Sequence, residues 1–415
     1  MKKVLYFLLG NCLLLSQPGN AQDLNVILRY ALTSDPSLDE AKANVAAANS
    51  QTKISEAGHY PVVSVGNIGM ISQHHTYDNE RRSGPMVNGR LNLYSFGAVE
   101  AEVERDEHKA GYYKHKLTET REVIGQKISQ LYLSALRAKE NIAVFQESLQ
   151  RHNKLIKDLN VIVGLDSGRE SELSEAESRK NQVESSIAQQ ERILHTSLSQ
   201  LTRYFSQRLT EKDLKDPFPS TDPEAFLQKY FNKDIATNPT YLAQQKEYDS
   251  NKAAVKAAEA RRLPSINLEG SANRHDQEVY INVSWDIYNP AASYTVEQNY
   301  YSQAAAEAKL REIALDIAEK GRTAEVEMVR NKKLLTLTSK QINLQRTVVR
   351  DTEFQFKIAK KTLLNVLDAY QELTNVQIEN VTARNDYRDA ALLYLVAQSK
   401  VAQWAGVTKL DLPTK

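Results

Sequence analysis

Histidine is the residue type here with the widest chemical range, because it can bind metals and transfer protons near neutral pH. The sequence has eight histidines. His108 and His115 are seven residues apart, so they share a helix face but lack the i,i+4 spacing that metal sites favour. His74 and His75 are adjacent in a loop, where their side chains point in different directions, and His152 interrupts an apolar helical seam. We therefore predict no metal or catalytic site at the histidines.

Other common catalytic arrangements are also missing from the sequence. It contains one cysteine, Cys12, and neither a Gly-rich phosphate loop nor a G-x-S-x-G nucleophile motif. Its acidic residues stand among lysines at helical spacing, as on solvated helix faces. The 53 basic and 52 acidic residues leave a net charge of +1, which does not indicate a nucleic-acid partner. We predict a protein that is not an enzyme and needs no cofactor.

The N-terminus indicates export. Two lysines precede an apolar stretch over residues 4–15, and Gly19-Asn20-Ala21 follows as a small-x-small cleavage signal. We predict a signal peptide over residues 1–21. The alternative is a lipid anchor on Cys12, although Asn11 stands where a lipobox prefers a small residue. After cleavage at residue 21 no cysteine remains, so no disulfide could hold the fold.

The chain is doubled. Pro36 matches Pro239, and Pro61 matches Pro264, at one offset of 203 residues. In each half the pattern predicts a short helix, a helix that ends before the second proline, two strands, a very long helix and another long helix. The first predicted repeat covers residues 22–205, with strands within about 61–96 and long helices within about 98–205. A linker over 206–223 follows. The second repeat covers 224–406, with strands within about 264–289 and long helices within about 291–406, and a tail over 407–415 ends the chain.

The segments after Pro61 and Pro264 alternate between apolar and polar residues. A period of two over about ten residues is typical of outer-membrane strands with a polar lumen face. An amphipathic hairpin on a soluble core is the alternative for one hairpin, but the pattern occurs in both halves. The apolar face is predicted to carry Val87, Leu91, Leu93, Ile281, Val283, Trp285 and Ile287, and the lumen face to carry Asn88, Arg90, Asn92, Asn267, Glu269, Asn282, Ser284 and Asp286.

Only strands could take this chain through a membrane. After the signal, no stretch approaches the roughly 18 apolar residues of a transmembrane helix. Four strands cannot close a barrel, because about eight are needed and an edge exposed to lipid leaves backbone groups unpaired. The barrel must therefore be shared between chains, with eight strands from two copies or twelve from three.

A seam of apolar residues runs from Ile124 to Val163 with alternating spacings of four and three. This 3.5-residue period predicts a coiled coil. A helix from about Ala98 to Val163 would be about 100 Å long. A solvated filament is the alternative, but it leaves the strand pairs without a purpose. The predicted fold class is mainly α, with long coiled-coil helices and a small transmembrane β part of four strands per chain.

These features resemble the TolC-like outer-membrane channel family over essentially the whole mature chain. The resemblance rests on the doubled helix, strand, strand, helix layout and on motifs before each second long helix, Gly168 to Glu177 and Lys361 to Ala369. The second motif, with Tyr132 to Arg137 and Tyr94 to Gly97, looks most like members that serve type I protein secretion.

The resemblance implies a homotrimer in the outer membrane with a twelve-stranded barrel and a periplasmic helical tunnel. It implies a passive exit duct that works with a periplasmic adaptor protein and an inner-membrane ABC transporter or proton-driven pump. Type I protein secretion is the first expected function, and drug or metal efflux is the alternative. A non-conducting envelope coiled coil or adaptor is a third possibility.

The resemblance also implies a latch at the periplasmic tip. Lys361 matches an arginine that closes the tip by bonding an acid of a neighbouring coil, and Glu172, beside Ser171, matches that acid. Phe356 stands where a tyrosine hydroxyl often joins the latch. Because lysine cannot make the bidentate fork of arginine, and phenylalanine has no hydroxyl, we expect a looser latch. The alternative is that Glu172 and Lys361 are two solvated surface charges.

The pore ring and the tip turn depart from the family pattern as well. Asp368 matches one of two aspartates that ring the pore, and Asn365 replaces the other. The constriction should therefore attract cations less strongly. Ala359 replaces the usual glycine of the tip.

Overall fold

The computed structural model describes residues 23–69, 71, 84–219, 222–274 and 276–407. The predictions for the signal peptide, Cys12, His74, His75 and nearly all of the C-terminal tail concern residues outside these ranges. Within them the chain is mainly α-helical with one four-stranded sheet, which confirms the predicted fold class. No helix in the described ranges is both long enough and apolar enough to cross a membrane.

The elements follow the same order in both halves. The first half contains α1 (Leu24–Ser34), α2 (Pro36–Glu56), β1 (Val62–Ile68), β2 (Gly84–Tyr94), α3 (Ala98–Leu165) and α4 (Glu170–Leu201). The second contains α5 (Pro223–Tyr230), α6 (Pro239–Ala260), β3 (Ser265–Asn273), β4 (Gln277–Ser284), α7 (Pro290–Lys357) and α8 (Leu363–Ala397), and a short α9 (Val401–Trp404) follows. The very long helix predicted from about Ala98 to Val163 is α3.

Several helices begin at an Asp-Pro or Asn-Pro pair. Asp35 and Asn238 are the N-caps of α2 and α6, and their side chains accept hydrogen bonds from backbone N–H groups of the first turn. Proline occupies the next position, where its missing N–H costs nothing and its fixed φ suits a helix. The same pair starts α5 at Asp222 and α7 at Asn289. These local signals fix where the helices start.

The two longest helices carry the architecture. Both α3 and α7 have 68 residues, which corresponds to about 100 Å. Near the sheet α3 packs against α2 and α6, and farther along it packs against α4 and α8. In the same way, α7 packs against α6 near the sheet and against α8 farther from it. The helices therefore form an upper row next to the sheet, in the order α2-α3-α6-α7, and a lower row away from the sheet, in the order α4-α3-α8-α7.

The predicted coiled-coil seam of α3 is largely buried. Buried members include Ile124, Ile128, Ala135, Ala138, Ile142, His152 and Leu159. The largest core cluster lies where the two rows meet, and α1 contributes Leu24, Ile27 and Leu28 to it. Burial of these side chains, at about 25 cal/mol per Å² of apolar surface, is the main force that holds the middle of the molecule together.

Ion pairs and a buried carboxylate tie other segments to α3. Arg388 of α8 is 2% exposed, and its guanidinium donates to Glu140 at 2.8 and 2.9 Å and to Asp216 at 2.8 Å. Glu122 accepts hydrogen bonds from the backbone N–H groups of Val401 and Ala402, which attaches α9 to α3. Burial raises the pKa of the Glu122 carboxyl above its ordinary value.

The sheet is antiparallel in the order β1-β2-β3-β4. The central pair, β2 and β3, joins the two halves of the chain. Asn92 pairs with Asn267, and Tyr94 pairs with the next residue of β3, Ile266, so Leu93 is an extra residue in a β-bulge. β1 and β4 are edge strands within the chain.

Candidate functional site

One face of the sheet is polar. Residues that pair directly across an antiparallel sheet point to the same side, and Arg90 pairs with Glu269 while Asn267 pairs with Asn282. The Asn92 side-chain amide donates to Asn267 Oδ1 at 3.3 Å, and Arg90 Nε lies 4.0 Å from Glu269 Oε1. The sheet therefore brings together the predicted residues Asn88, Arg90, Asn92, Asn267, Glu269, Asn282 and Ser284.

Tyr280 belongs to this polar face and was missed by the sequence reasoning. It pairs with Glu269, and its hydroxyl donates to Glu269 Oε2 at 3.1 Å. Asn282 donates to the other carboxylate oxygen at 3.1 Å. The signal was present in the sequence, because Tyr280 falls two residues before Asn282 in the alternating pattern.

The predicted alternation was wrong at two places. Asp286 lies beyond β4, which ends at Ser284, and its carboxylate accepts a hydrogen bond from Asn289 at 3.1 Å. Asp286 therefore belongs to the turn that leads into α7, and so do Trp285 and Ile287. Leu93 does not follow the predicted alternation either, because the bulge in β2 breaks the period of two at this residue.

The opposite face of the sheet is apolar and exposed within the chain. It carries Val63, Val65, Leu91, Ile281 and Val283. Val65, for example, keeps 79% of its surface accessible. A contiguous exposed apolar face is unfavourable in water and indicates contact with lipid or with another apolar surface.

At the helix tips, Glu172, the predicted acid of the latch, lies beside an arginine of the same chain. Arg169, in the turn between α3 and α4, donates to Glu172 at 2.7 and 3.2 Å. The Arg169 guanidinium also lies 5.8 Å from the centre of the Phe356 ring. Within the described chain Lys361 is exposed and makes no ion pair. The structure thus brings Glu172 and Phe356 together through Arg169, a residue that the sequence reasoning did not assign to the tip.

Two tip residues shape the turn between α7 and α8. Ala359 follows α7 with φ of 58°, and its N–H and that of Lys360 donate to Phe356 and Gln355 carbonyls in a Schellman motif. Asn365 and Thr362 form a capping box at the start of α8. Asn365, which stands where the family resemblance implies a pore-ring aspartate, therefore stabilises the start of α8. Ser171 and Asp368 are exposed.

A groove of about 520 Å³ separates the two hairpin ends. Its apolar lining includes Leu155, Phe356 and Val366. The Tyr370 hydroxyl donates to Glu353 at 2.5 Å, and burial raises the pKa of Tyr370. In the described ranges, no three His, Cys, Asp or Glu side chains are grouped so that they could hold a metal ion.

Comparison with known proteins identifies the fold, and one family model matches part of the chain. Residues 27–205 match the family described as Outer membrane efflux protein. No curated protein matches the chain. Among solved structures, the outer-membrane channel OprN superposes with a TM-score of 0.77 at 16% identity, over 91% of this chain and 89% of that one.

Two further channels give the same result. The outer membrane protein VceC of Vibrio cholerae superposes with a TM-score of 0.74 at 14% identity, over 91% of this chain and 96% of that one. CusC superposes with a TM-score of 0.73 at 14% identity, over 92% and 95% of the two chains. The resemblance to TolC-like channels is confirmed: the chain has their fold, and residues 27–205 match the family described as Outer membrane efflux protein.

Proposed function

We propose that three copies of this chain form the exit duct of a three-part export system. Their sheets join edge to edge into a twelve-stranded barrel in the outer membrane, and their long helices form a tube through the periplasm. The observation that carries the proposal is the sheet with an exposed apolar face and a polar face, at the end of helices about 100 Å long.

The edges of the sheet support assembly from several chains. β1 and β4 lie at the edges of the sheet, so among the described residues each has a row of backbone groups without a strand partner. Such edges cannot face lipid, because hydrocarbon offers no hydrogen-bond partner. Joining β4 of one copy to β1 of the next satisfies both edges and places Arg90 and Glu269 on the inner, wet side.

The duct supplies no energy in this proposal. A periplasmic adaptor would dock near the helix tips, and an inner-membrane ABC transporter or proton-driven pump would drive the cargo. The duct contributes a continuous water-filled path, and its opening depends on the tips.

For the cargo, the family description names efflux, and this favours the efflux alternative, of drugs or metals, as the first candidate. Type I protein secretion, suggested by the motif from Tyr132 to Arg137, is the second candidate. That motif also has a structural explanation, because Tyr132 is hydrogen-bonded to the backbone of Lys215 at 2.7 and 3.0 Å, and Arg137 pairs with Asp386 and Asp389. Contacts of this kind hold the fold together and do not distinguish one cargo from another.

Cell fractionation tests the duct. We expect a heat-modifiable trimer band in outer-membrane fractions, with β signal in circular dichroism. A monomer in the soluble periplasmic fraction would support the adaptor alternative. A deletion strain tests the cargo: increased sensitivity to drugs or metals with an unchanged set of secreted proteins supports efflux, and the converse supports type I secretion.

A further inference from the structure

A cavity of about 760 Å³ lies where the second half of the chain passes from α6 into the sheet and from the sheet into α7. Its walls are the end of α6, the turn after β4 and the first turns of α7, and they include Arg262, Trp285, Asp286, Tyr288 and Tyr294. Small-molecule sites commonly have volumes of roughly 300–1,000 Å³. The cavity is therefore large enough for a ligand group of several heavy atoms.

The internal repeat shows why the second half has this cavity. Gly58 and Arg261 occupy matching positions at the offset of 203 residues. Val99 and Ala291 match as well, because each lies two residues after the N-cap of a long helix. A Cβ atom at Gly58 would lie only 3.1 Å from Val99 Cγ1, so the first junction is tightly packed at this point. Arginine is too large for such an approach, and alanine fills less of the gap, so the second junction remains open.

The cavity borders the apolar face of the sheet. That face ends at Val283 of β4, and Trp285 and Ile287 come next along the chain, in the turn that lines the cavity. Ile287 and Tyr288 keep 85% and 89% of their surface accessible. Exposed apolar residues together with Trp and Tyr are typical of the boundary between lipid and water, where one end of the ring is in lipid and the other is wet. The proposed barrel therefore places the cavity at the level of phospholipid headgroups.

One cation of the cavity has no partner. Arg261 donates through Nε to Glu102 Oε1 at 2.7 Å, so its charge is balanced within the chain. The Arg262 carbonyl accepts a hydrogen bond from Trp285 Nε1 at 3.1 Å, which fixes this backbone at the cavity wall. The exposed Arg262 guanidinium makes no ion pair within the described part of the chain. A guanidinium matches the geometry of a phosphate, to which it can donate two parallel hydrogen bonds.

The cavity walls also contain two acids, Glu259 and Asp286. Glu259 is exposed and makes no ion pair among the residues that the structure describes. Asp286 accepts a hydrogen bond from the Asn289 side-chain amide at 3.1 Å, which leaves its negative charge uncompensated. Carboxylates suit a primary ammonium group, which donates three hydrogen bonds. A ligand that carries both a phosphate and an ammonium group therefore matches this cavity better than a purely anionic ligand does.

We propose that this cavity binds the headgroup of a zwitterionic phospholipid with a primary ammonium group, the phosphoethanolamine type. Arg262 binds the phosphate, Asp286 and Glu259 bind the ammonium, and Trp285 and Tyr288 contact the first part of the acyl chains. The inference rests on the proposed function, because it requires that the sheet lies in a membrane. It adds a selective lipid site at one defined place in each copy.

Fluorescence quenching by brominated lipids tests the site. The sequence has two tryptophans, Trp285 and Trp404. Trp404 lies in α9, which is attached to α3 at Glu122, about 35 Å from the sheet end of α3, so bromine in the bilayer should quench Trp285 alone. We reconstitute the full-length protein in phosphatidylcholine vesicles that contain a fixed fraction of one lipid brominated near the headgroup end of its acyl chains. Phosphatidylethanolamine should show at least about threefold higher relative affinity at Trp285 than phosphatidylglycerol or phosphatidylcholine.

Variants of the charged residues separate this site from general contact with lipid. Arg262→Ala should abolish the preference for phosphatidylethanolamine. His59→Ala, at the matching position of the first half, is the control and should keep the preference. Glu259→Gln with Asp286→Asn should turn the preference toward phosphatidylglycerol, because the remaining guanidinium then selects a headgroup with net negative charge. A heat-modifiable trimer band verifies that each variant folds. Equal quenching by all three lipids in the unchanged protein, or an unaltered preference in Arg262→Ala, would overturn the inference.

A tryptophan on the apolar face separates the lipid site from the duct. Ile281→Trp, introduced together with Trp285→Phe, should be quenched by every brominated lipid, because Ile281 lies on the apolar face of β4. Quenching at position 281 combined with no quenching at Trp285 would mean that another copy covers the cavity, and it would overturn the lipid site while leaving the duct intact. Quenching at neither position would refute the duct, and the lipid site with it.

Discussion

At the scale of single residues, the tip of the α7–α8 hairpin contains strain. Ala359 adopts a left-handed conformation that glycine accepts more readily. Alanine stands here in place of the glycine expected from the family resemblance, and its φ of 58° places it in the left-handed region. The strained position joins the two helices that must end at the tip.

Ala359→Gly should raise the free energy of unfolding by about 0.5–1 kcal/mol, because relief of the left-handed alanine exceeds the added freedom of the unfolded chain. Chemical denaturation in detergent measures the change. Ala305→Gly, at an exposed position inside α7, is the matched control and should lower stability by about 1 kcal/mol. A decrease in both variants would disprove the strain argument.

Lys361→Glu should raise the single-channel conductance in planar bilayers, if Lys361 bonds Glu172 of a neighbouring copy. The reason is repulsion between like charges at the closed tip. Lys360→Glu makes the same charge change one residue away and should have a smaller effect. Unchanged conductance in Lys361→Glu would remove the latch and leave Glu172 as the partner of Arg169 alone.

At the scale of elements, the α3–α8 contact contains a titratable group. His152 of α3 is 4% exposed; its Nδ1 lies 2.9 Å from the Ser148 carbonyl, and its ring meets Tyr370 of α8 edge-on. Burial lowers the pKa of His152 below its ordinary value of 6.5, and the nearby Arg151 and Arg179 act in the same direction. The folded chain therefore takes up this proton less readily than the unfolded chain does.

Acidification should weaken this contact. A lowered histidine pKa means that stability is complete above about pH 6.5 and is lost as the pH falls toward the folded-state pKa. Unfolding midpoints measured between about pH 7 and pH 5 should fall less steeply in His152→Gln than in the unchanged protein. His195→Gln, at an exposed position of α4, should keep the original slope. Identical slopes in all three proteins would contradict the prediction.

The elements differ in how well the sequence predicts them. The helix α3 was predictable because its apolar residues keep a 3.5-residue period, and α7 was predictable because it takes the matching place in the second half of the doubled chain. The bulge at Leu93 and the end of β4 at Ser284 were not, because they depend on pairing between strands far apart in sequence. The role of Arg169 was missed for a similar reason: it contacts Phe356 of a helix that lies almost two hundred residues later.

At the scale of the whole molecule, the proposed barrel would repeat each lumen residue in every copy. Arg90 and Glu269 face each other on the polar side of the sheet, so the lumen would carry alternating charges. The assembly itself lies beyond what one chain's sequence determines, since four strands allow several ring sizes. The domain boundaries predicted from the internal repeat, including the linker over 206–223, stay predictions.

Changing one member of the Arg90–Glu269 pair should shift ion selectivity. Arg90→Ala leaves the Glu269 carboxylates unbalanced, so the reversal potential in a salt gradient should move toward cations. Glu269→Gln should move it toward anions. Lys309→Ala, on α7 away from the sheet, serves as the control. Reversal potentials that do not respond to either lumen change would place these side chains outside the conduction path.

The ends of α3 and α7 far from the sheet have a consequence for variation in this chain. Lys357, the last residue of α7, lies 3.7 Å from Asp158, so α3, which continues to Leu165, extends about 10 Å beyond α7. An insertion of one heptad into α3 alone would double this offset, whereas one heptad in each half would keep it. Insertions and deletions should therefore be tolerated only in matched pairs, one in each half, so that a docking partner still meets a rim of the same shape.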